Sequence, residues 1–279
     1  MSKLTVDEAD SGSRLDHYLA THNDSISRNQ WQQQIESGLV TVNSQRVKSS
    51  ATLQANDVVK IIERSESTAI TADIPIIYQD DNVIVIDKPH GLLVHAVSET
   101  DTEQTVVGLL RGKLPTDDSL RPGVVHRLDR DTSGVMVLAK TQSTADDLTT
   151  QFKTRTVEKT YRAVLEGQFQ HEQAKIAVPI GRDMNNPSHF KVDPNGKTAE
   201  TLLTILDVEN DKTYVKLQPK TGRTHQLRVH CQHIGHPIVG DPLYGQSGPR
   251  LMLHAHTLVI DVDGQRQTFR APLPVGFRS

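Results

Sequence analysis

A polar stretch from Arg64 to Asp73, RSESTAITAD, divides the 279-residue chain into two parts of different texture. Ahead of it, apolar residues recur first at helical spacing and then in short alternating runs. In SRLDHYLATHN, Leu15, Tyr18 and Leu19 share one helical face. Ser27 stands as an N-cap for RNQWQQQIESG, a predicted helix with Trp31 and Ile35 on one side and Gly38 as its stop. LVTVNSQRV reads as a strand, an Asn43-Ser44 turn and a second short strand, and DVVKIIE as another strand. Two small helices followed by a small sheet predict a compact domain over residues 1–65, with 66–74 as a linker.

From residue 75 to 279 strands and helices intermingle. NVIVIDKP is a buried-strand pattern stopped by Pro89, EQTVVGLLRGKL a helix, and GVMVLAKT a strand. TADDLTTQFKTR is a helix with Leu148 and Phe152 four apart. KTYRAVLEG, KTYVKLQP, LMLHAHTLVIDV and QRQTFRAP all read as strands. Both hairpin-like and helix-separated neighbours occur, so the expected fold is α+β with a mixed, mainly antiparallel sheet, not a doubly wound parallel one.

Several function classes are disfavoured at this point. A single cysteine, Cys231, cannot make an internal disulfide framework and suits a reducing compartment, so the cytoplasm is expected. No apolar run reaches membrane-spanning length, and MSKLTVDEADSGSRLD is too acidic and polar for a signal or transit peptide. There is no glycine loop for phosphates and no dinucleotide fingerprint, so no nucleotide cofactor is expected. A monomer is the expected state. The net charge of −3 hides a gradient: from Lys216 to Ser279 eight Lys or Arg face only three acids. Such a local surplus suits contact with phosphate, although it equally describes a solvated face.

HRLDRDTSG, His126 to Gly134, sets one carboxylate, Asp129, between Arg127 and Arg130. It is either a salt-bridged loop or a catalytic acid aimed by cations. Cations on both sides favour the charged form of a carboxylate, which makes a poor proton donor but a useful nucleophile, base or stabiliser of a developing cation. Asp131 lies two residues on, with nothing to mark the two as an acid/base dyad. His225, His230, Cys231, His233 and His236 raise a metal reading, but their spacing fits no paired-cysteine or zincin pattern. On a strand, moreover, the two histidines of HQLRVH would point to opposite faces. No metal is expected, and Cys231 has no evident base beside it.

HRLDRDTSGVMVLAKT resembles the signature of the RluA-type pseudouridine synthases. VIDKPHGLLVH, EKTYRAVLEG, PKTGRTHQLRVHCQHIGHPIVGDPLYG and RLMLHA follow the same family's order. RLDHYL, SRNQWQQQIESGLVTVN and NDVVKI resemble the small RNA-binding module shared with a small-subunit ribosomal protein, the S-four type; that module usually turns at Asn-Gly, where this chain has Asn43-Ser44.

The resemblance implies a pseudouridine synthase fold and an isomerisation. The N-glycosidic bond of a uridine in RNA is broken, the uracil turns, and it is rejoined through carbon without a cofactor. It implies Asp129 as the catalytic residue, acting as nucleophile toward the sugar or as base for a ribose proton. Tyr161 would pack against the target base, where its hydroxyl could also relay a proton. Arg223 would pair with Asp129, with Arg228 as the alternative. Arg127 would enter the RNA stack in place of the extruded nucleotide, and Leu253 would form an apolar wall against uracil. Ser27, Arg28, Asn29 and Gln32 would face RNA. Thr132, Ser133 and Gly134 are expected to build a turn. Family members with the N-terminal module act mostly on large-subunit ribosomal RNA, so that RNA is the preferred partner. Transfer RNA, or a role as a non-catalytic ribosome-assembly factor, are the alternatives.

Overall fold

The computed structural model describes residues 2–22, 28, 31–32, 35, 40–43, 45, 47–61, 74–96, 103–115, 121–186 and 188–278. The chain folds into two compact units. The first runs to Ala72 and includes Val97–Thr102; the second holds Asp73–Ala96 and Glu103–Ser279.

In the N-terminal unit, β1 (Ser2–Thr5), α1 (Leu15–His22), β2 (Val40–Val42) and β3 (Val58–Ile61) surround one small core. The strands lie antiparallel in the order β1-β3-β2. β1 is a strand that the alternation pattern does not mark. Leu15, Tyr18 and Leu19 are buried, as their spacing predicts, and Trp31 and Ile35 join the same core. Asn43 takes the left-handed conformation expected of the turn, at φ 50°. Its amide fixes the turn by donating to Asp57 at 2.8 Å and accepting from the Val58 N–H at 2.9 Å. Ser27, Asn29, Gly38 and Ser44 lie outside the described residues, as does the 66–73 part of the expected linker.

The second unit contains β4 (Ile76–Gln79), β5 (Val83–Lys88), α2 (Val106–Leu110), β6 (Ser133–Ala139), α3 (Gln142–Thr154), β7 (Glu158–Glu166) and β8 (Gln173–Ile176). There follow β9 (Ile180–Arg182), β10 (Phe190–Val192), β11 (Thr201–Glu209), β12 (Lys212–Pro219), α4 (Gln226–His233), β13 (Leu253–Val262) and β14 (Gln265–Arg270). Nine strands form one sheet in the order β4-β5-β6-β13-β7-β12-β11-β8, with β14 also on β13; β9 and β10 make a separate ribbon.

Within the nine-stranded sheet only β6 and β13 run parallel, through Ser133–His254 and Gly134–Ala255. The fold is therefore α+β with a mixed, mostly antiparallel sheet. β6 is buried along its whole length, which explains why SGVMVLA is an unbroken run and does not alternate. The register at Gly134 depends on glycine: φ is 116° and a Cβ would stand 2.2 Å from the Ala255 carbonyl oxygen.

Two hydrophobic cores lie along this sheet. One gathers β5, β6, α2, α3 and the outer part of β13 around residues such as Ile86, Met136 and Leu148. The other gathers β7, β12 and α4 around Leu165, Leu217 and Cys231. Tyr161 packs against both. It marks the seam where β7 and β13 join the two halves of the sheet.

Candidate active site

A cleft of about 620 Å³ opens at this seam. Its walls are the loop that leads into β6, the start of β7, the start of β13, and the segment from the end of β12 into α4. Asp129, Arg127, Tyr161, Arg223, Arg228 and Leu253 all line it. Residues up to 126 apart in sequence thus meet at one place because the strand order interleaves early and late segments.

Asp129 sits on the loop before β6, which is fastened from behind. The Arg130 carbonyl accepts from the Gly91 N–H at 3.0 Å and from the Lys88 ammonium at 2.9 Å. Lys88 is fully buried at the end of β5 and also donates to the Leu92 and Pro89 carbonyls. Burial pushes its pKa down to about 7, opposed by the charges of Asp131 and Asp129. His90 bonds the Asp131 carbonyl at 2.8 Å, and the Thr132 N–H closes a turn on the Asp129 carbonyl. The backbone beside Asp129 is thereby held while its carboxylate, 23 % exposed, accepts no hydrogen bond among the described residues.

The nearest cation to that carboxylate is Arg228, at 3.9 Å. Arg228 is 3 % exposed and lies in the first turn of α4. It donates in a two-pronged fork to the buried Asp241, at 2.8 and 2.7 Å, and lies over the Tyr244 ring at 5.0 Å. Burial works against charge on both partners. The Arg228 fork and the Leu243 and Tyr244 N–H groups nonetheless hold Asp241 below the ordinary carboxylate range, and Asp241 and Asp129 raise Arg228. Arg228 is thus a fixed positive charge that reaches Asp129 from a locked position.

Arg223 does not pair with Asp129. It lies in the loop before α4, and its Nε donates to the Thr198 carbonyl at 3.0 Å. The expectation is corrected in favour of Arg228, because TGRTHQLRVH folds as a loop and then a helix whose first turn points into the cleft. The same helix corrects the strand assumed for HQLRVH. His225, at φ 55°, is the N-cap and bonds the Tyr244 hydroxyl at 2.8 Å, whereas His230 is buried against Thr201 at 3.0 Å. Cys231 is fully buried, and burial pushes its thiol up to about 12.

Arg127 is exposed at the cleft and makes no hydrogen bond or ion pair among the described residues. Arg130, flanking Asp129 on the other side, turns away to Glu103 and the Gly91 carbonyl. The sequence neighbours of Asp129 are therefore not its counter-charges. Tyr161 presents a phenol whose pKa is raised, first by burial and then by the Asp129 charge. It stays protonated, able to donate a hydrogen bond and to offer an apolar ring face. Leu253 is buried at the start of β13 and supplies apolar surface to the same cleft.

The RNA pseudouridylate synthase family matches residues 82–233, and the S4 domain matches 13–59. The chain belongs to the RNA pseudouridine synthases. Within them its relatives are of the RluA type. The synthase is 37% identical over 289 residues to the protein named uncharacterized RNA pseudouridine synthase YlyB of Bacillus subtilis, covering 97% of this chain and 94% of that one. It is 36% identical over 280 residues to the ribosomal large subunit pseudouridine synthase C of Vibrio parahaemolyticus, covering 90% and 86%. The solved structure of human RNA pseudouridylate synthase domain containing 1 matches with a TM-score of 0.62 and 31% identity, over 72% of this chain and 84% of that one.

In the N-terminal unit, Arg28 is exposed but tethered. Its guanidinium donates to the fully buried Asp16 at 3.2 Å, beside Arg14 at 2.9 Å and Gln32 at 2.6 Å. Ser27 and Asn29 lie outside the described residues. Lys88 and Asp241 were not singled out in the sequence, and His225 was weighed there only as a metal ligand; the signal that joins them to this site is membership of the motifs VIDKPHG, GDPLYG and GRTHQLR.

Proposed function

We propose that the synthase isomerises uridine in large-subunit ribosomal RNA, as a monomer in the cytoplasm, with Asp129 acting at the ribose. The observation that carries this reading is the juxtaposition of an open Asp129 carboxylate, the locked Arg228 guanidinium and the neutral Tyr161 phenol in one cleft. Breaking the glycosidic bond places positive character on the sugar and negative charge on uracil. Asp129 meets the first as nucleophile or as base for a ribose proton. Arg228 orients the carboxylate and balances its charge. Tyr161 and Leu253 hold the flipped uracil between an aromatic and an apolar surface, while Arg127 is free to fill the vacated place in the RNA stack.

The choice of ribosomal RNA is supported by relatives named for the large ribosomal subunit and by the S4 module. We assign residues 1–65 to that module and 75–279 to the catalytic domain. Deleting 1–65 weakens RNA binding and leaves Asp129 chemistry on a minimal stem-loop intact. The test of substrate is carbodiimide mapping of pseudouridine in a deletion strain against its parent. The reading expects a signal to vanish from large-subunit ribosomal RNA; loss confined to transfer RNA, or no loss in any RNA, contradicts it.

A further inference from the structure

Lys159 lies on β7 two residues before Tyr161, so the pleat turns both side chains to the same face, and both line the cleft. It is half-buried, and among the described residues its ammonium has neither a carboxylate within 4 Å nor a hydrogen-bond acceptor. Its Nζ stands 3.8 Å from where a Cβ on Gly222 would be, against the loop that leads to α4. Arg155, the left-handed C-cap of α3 at φ 63°, shares this wall of the cleft, and its charge lowers the Lys159 pKa alongside burial.

The acids nearby are otherwise occupied. Glu158, which also lines the cleft, is held by Arg266 at 2.8 Å, and Asp129 faces Arg228. Two cations four residues apart thus line the cleft, one of them partly desolvated, and neither side chain has an ion pair or a hydrogen bond among the described residues. Such an arrangement is relieved by an anion that arrives with the ligand. RNA brings one kind of fixed anion, the phosphodiester. The alternative is the charge that develops on uracil. Lys159 enters the cleft at the α3–β7 corner, four residues after Arg155, whereas the uracil is placed between Tyr161 and Leu253.

We infer that Lys159 and Arg155 form a phosphate subsite within the cleft, holding a backbone phosphodiester that flanks the target nucleotide. The inference rests on this cleft being where the uridine is turned over. The subsite positions the extruded nucleotide so that its ribose stays against Asp129. It adds affinity in ground state and transition state alike, and so acts on KM more than on the saturating rate.

The test uses the full chain and a hairpin RNA whose uridine the wild-type enzyme converts, made with a single methylphosphonate either 5′ or 3′ of that uridine. Lys159→Met raises KM about tenfold with the saturating rate little changed, as for loss of one charge-assisted contact. Lys159→Arg restores KM. A methylphosphonate at one flanking position raises the wild-type KM by a similar factor and adds nothing in Lys159→Met. Arg155→Gln, at an exposed position, shows the same non-additivity and serves where the Lys159 variant folds poorly. The subsite is overturned if the two changes multiply at both positions, or if Lys159→Met lowers the saturating rate and leaves KM alone. Absence of conversion of any RNA by the wild type overturns the functional reading instead, and the subsite with it.

Discussion

The tripeptide Arg-Leu-Asp occurs twice, at Arg14–Asp16 and Arg127–Asp129, and the two copies have opposite fates. Asp16 is completely buried and filled with donors: Arg14 grips it through two nitrogens, and Arg28 and Gln32 add further bonds. The Arg14 hydrogen bond, against burial and with help from Gln32 and Arg28, holds its carboxyl well below the usual range. Asp129 is partly open, accepts no hydrogen bond among the described residues, and faces a cation at 3.9 Å. The adjacent arginine closes on the acid in the first copy and leaves it in the second. A carboxylate whose lone pairs are saturated is a structural knot; one aimed by a single locked cation keeps acceptor capacity for a substrate.

Substituting the two acids separates these roles most sharply. Asp129→Asn lowers the single-turnover rate of pseudouridine formation by at least about a thousandfold, the scale for loss of a central catalytic group, with RNA affinity preserved. Asp16→Asn leaves the saturating rate on a short stem-loop unchanged and instead loosens the N-terminal unit, read as an earlier thermal transition of Trp31, the chain's single tryptophan. Retained turnover in Asp129→Asn would remove the contrast.

A second comparison sets Arg228 against Arg223. Arg228→Met strands the buried Asp241 without its partner, which costs roughly 3–5 kcal/mol of stability, and it also slows turnover by releasing Asp129. Arg223→Gln removes one bond to a backbone carbonyl, worth about 1 kcal/mol, and spares the Asp129 geometry. Urea melts and single-turnover rates check both; equal effects at the two positions would contradict the placement of the counter-charge.

The smallest effect concerns pH. In the catalytic unit burial lowers the pKa of His126 to about 3 and those of His95 and His254 to about 4, against an ordinary 6.5. Below 6.5 the unfolded chain binds more protons at these sites than the folded one, so stability falls as pH is lowered from 6.5 toward 4. The Asp16 knot loses its stabilisation only as pH falls toward and below the ordinary carboxylate value of 3.8, where the unfolded chain takes up a proton that the folded one does not, so it is largely spared above pH 4. Circular dichroism of the large sheet therefore weakens with acid before Trp31 fluorescence does. The reverse order would break the comparison.

Much of this was legible in the sequence where one physical signal dominated. The apolar runs at Val83–Ile86 and Gly134–Ala139 could only be buried strands, and Leu148 with Phe152 marked the inner face of α3. The position of Asp129 and Tyr161 in the cleft followed from ordered motifs. α4 was not legible, because its buried face carries Gln226, Arg228 and His230, each satisfied by hydrogen bonds that hydropathy does not register. The choice of Arg228 over Arg223 beside Asp129 depends on that helix, and for the same reason the sequence offered Arg228 only as the alternative. β11, TLLTILDVE, was hidden because its polar Thr201 and Thr204 alternate imperfectly around a bulge at Ile205–Asp207. The Asp16 knot was invisible since its partners come from two separate segments of the chain.

The central claim is that the open carboxylate of Asp129, steadied by Arg228, does its work at the sugar. A crystal structure of the full chain with a hairpin carrying 5-fluorouridine at the mapped position tests this directly. The account predicts an Asp129 oxygen within about 3.5 Å of a ribose carbon, with Arg228 still forked onto Asp241 behind it. A ribose lying elsewhere, with Asp129 turned to Arg127 or Arg130 as Asp16 is to Arg14, would contradict it.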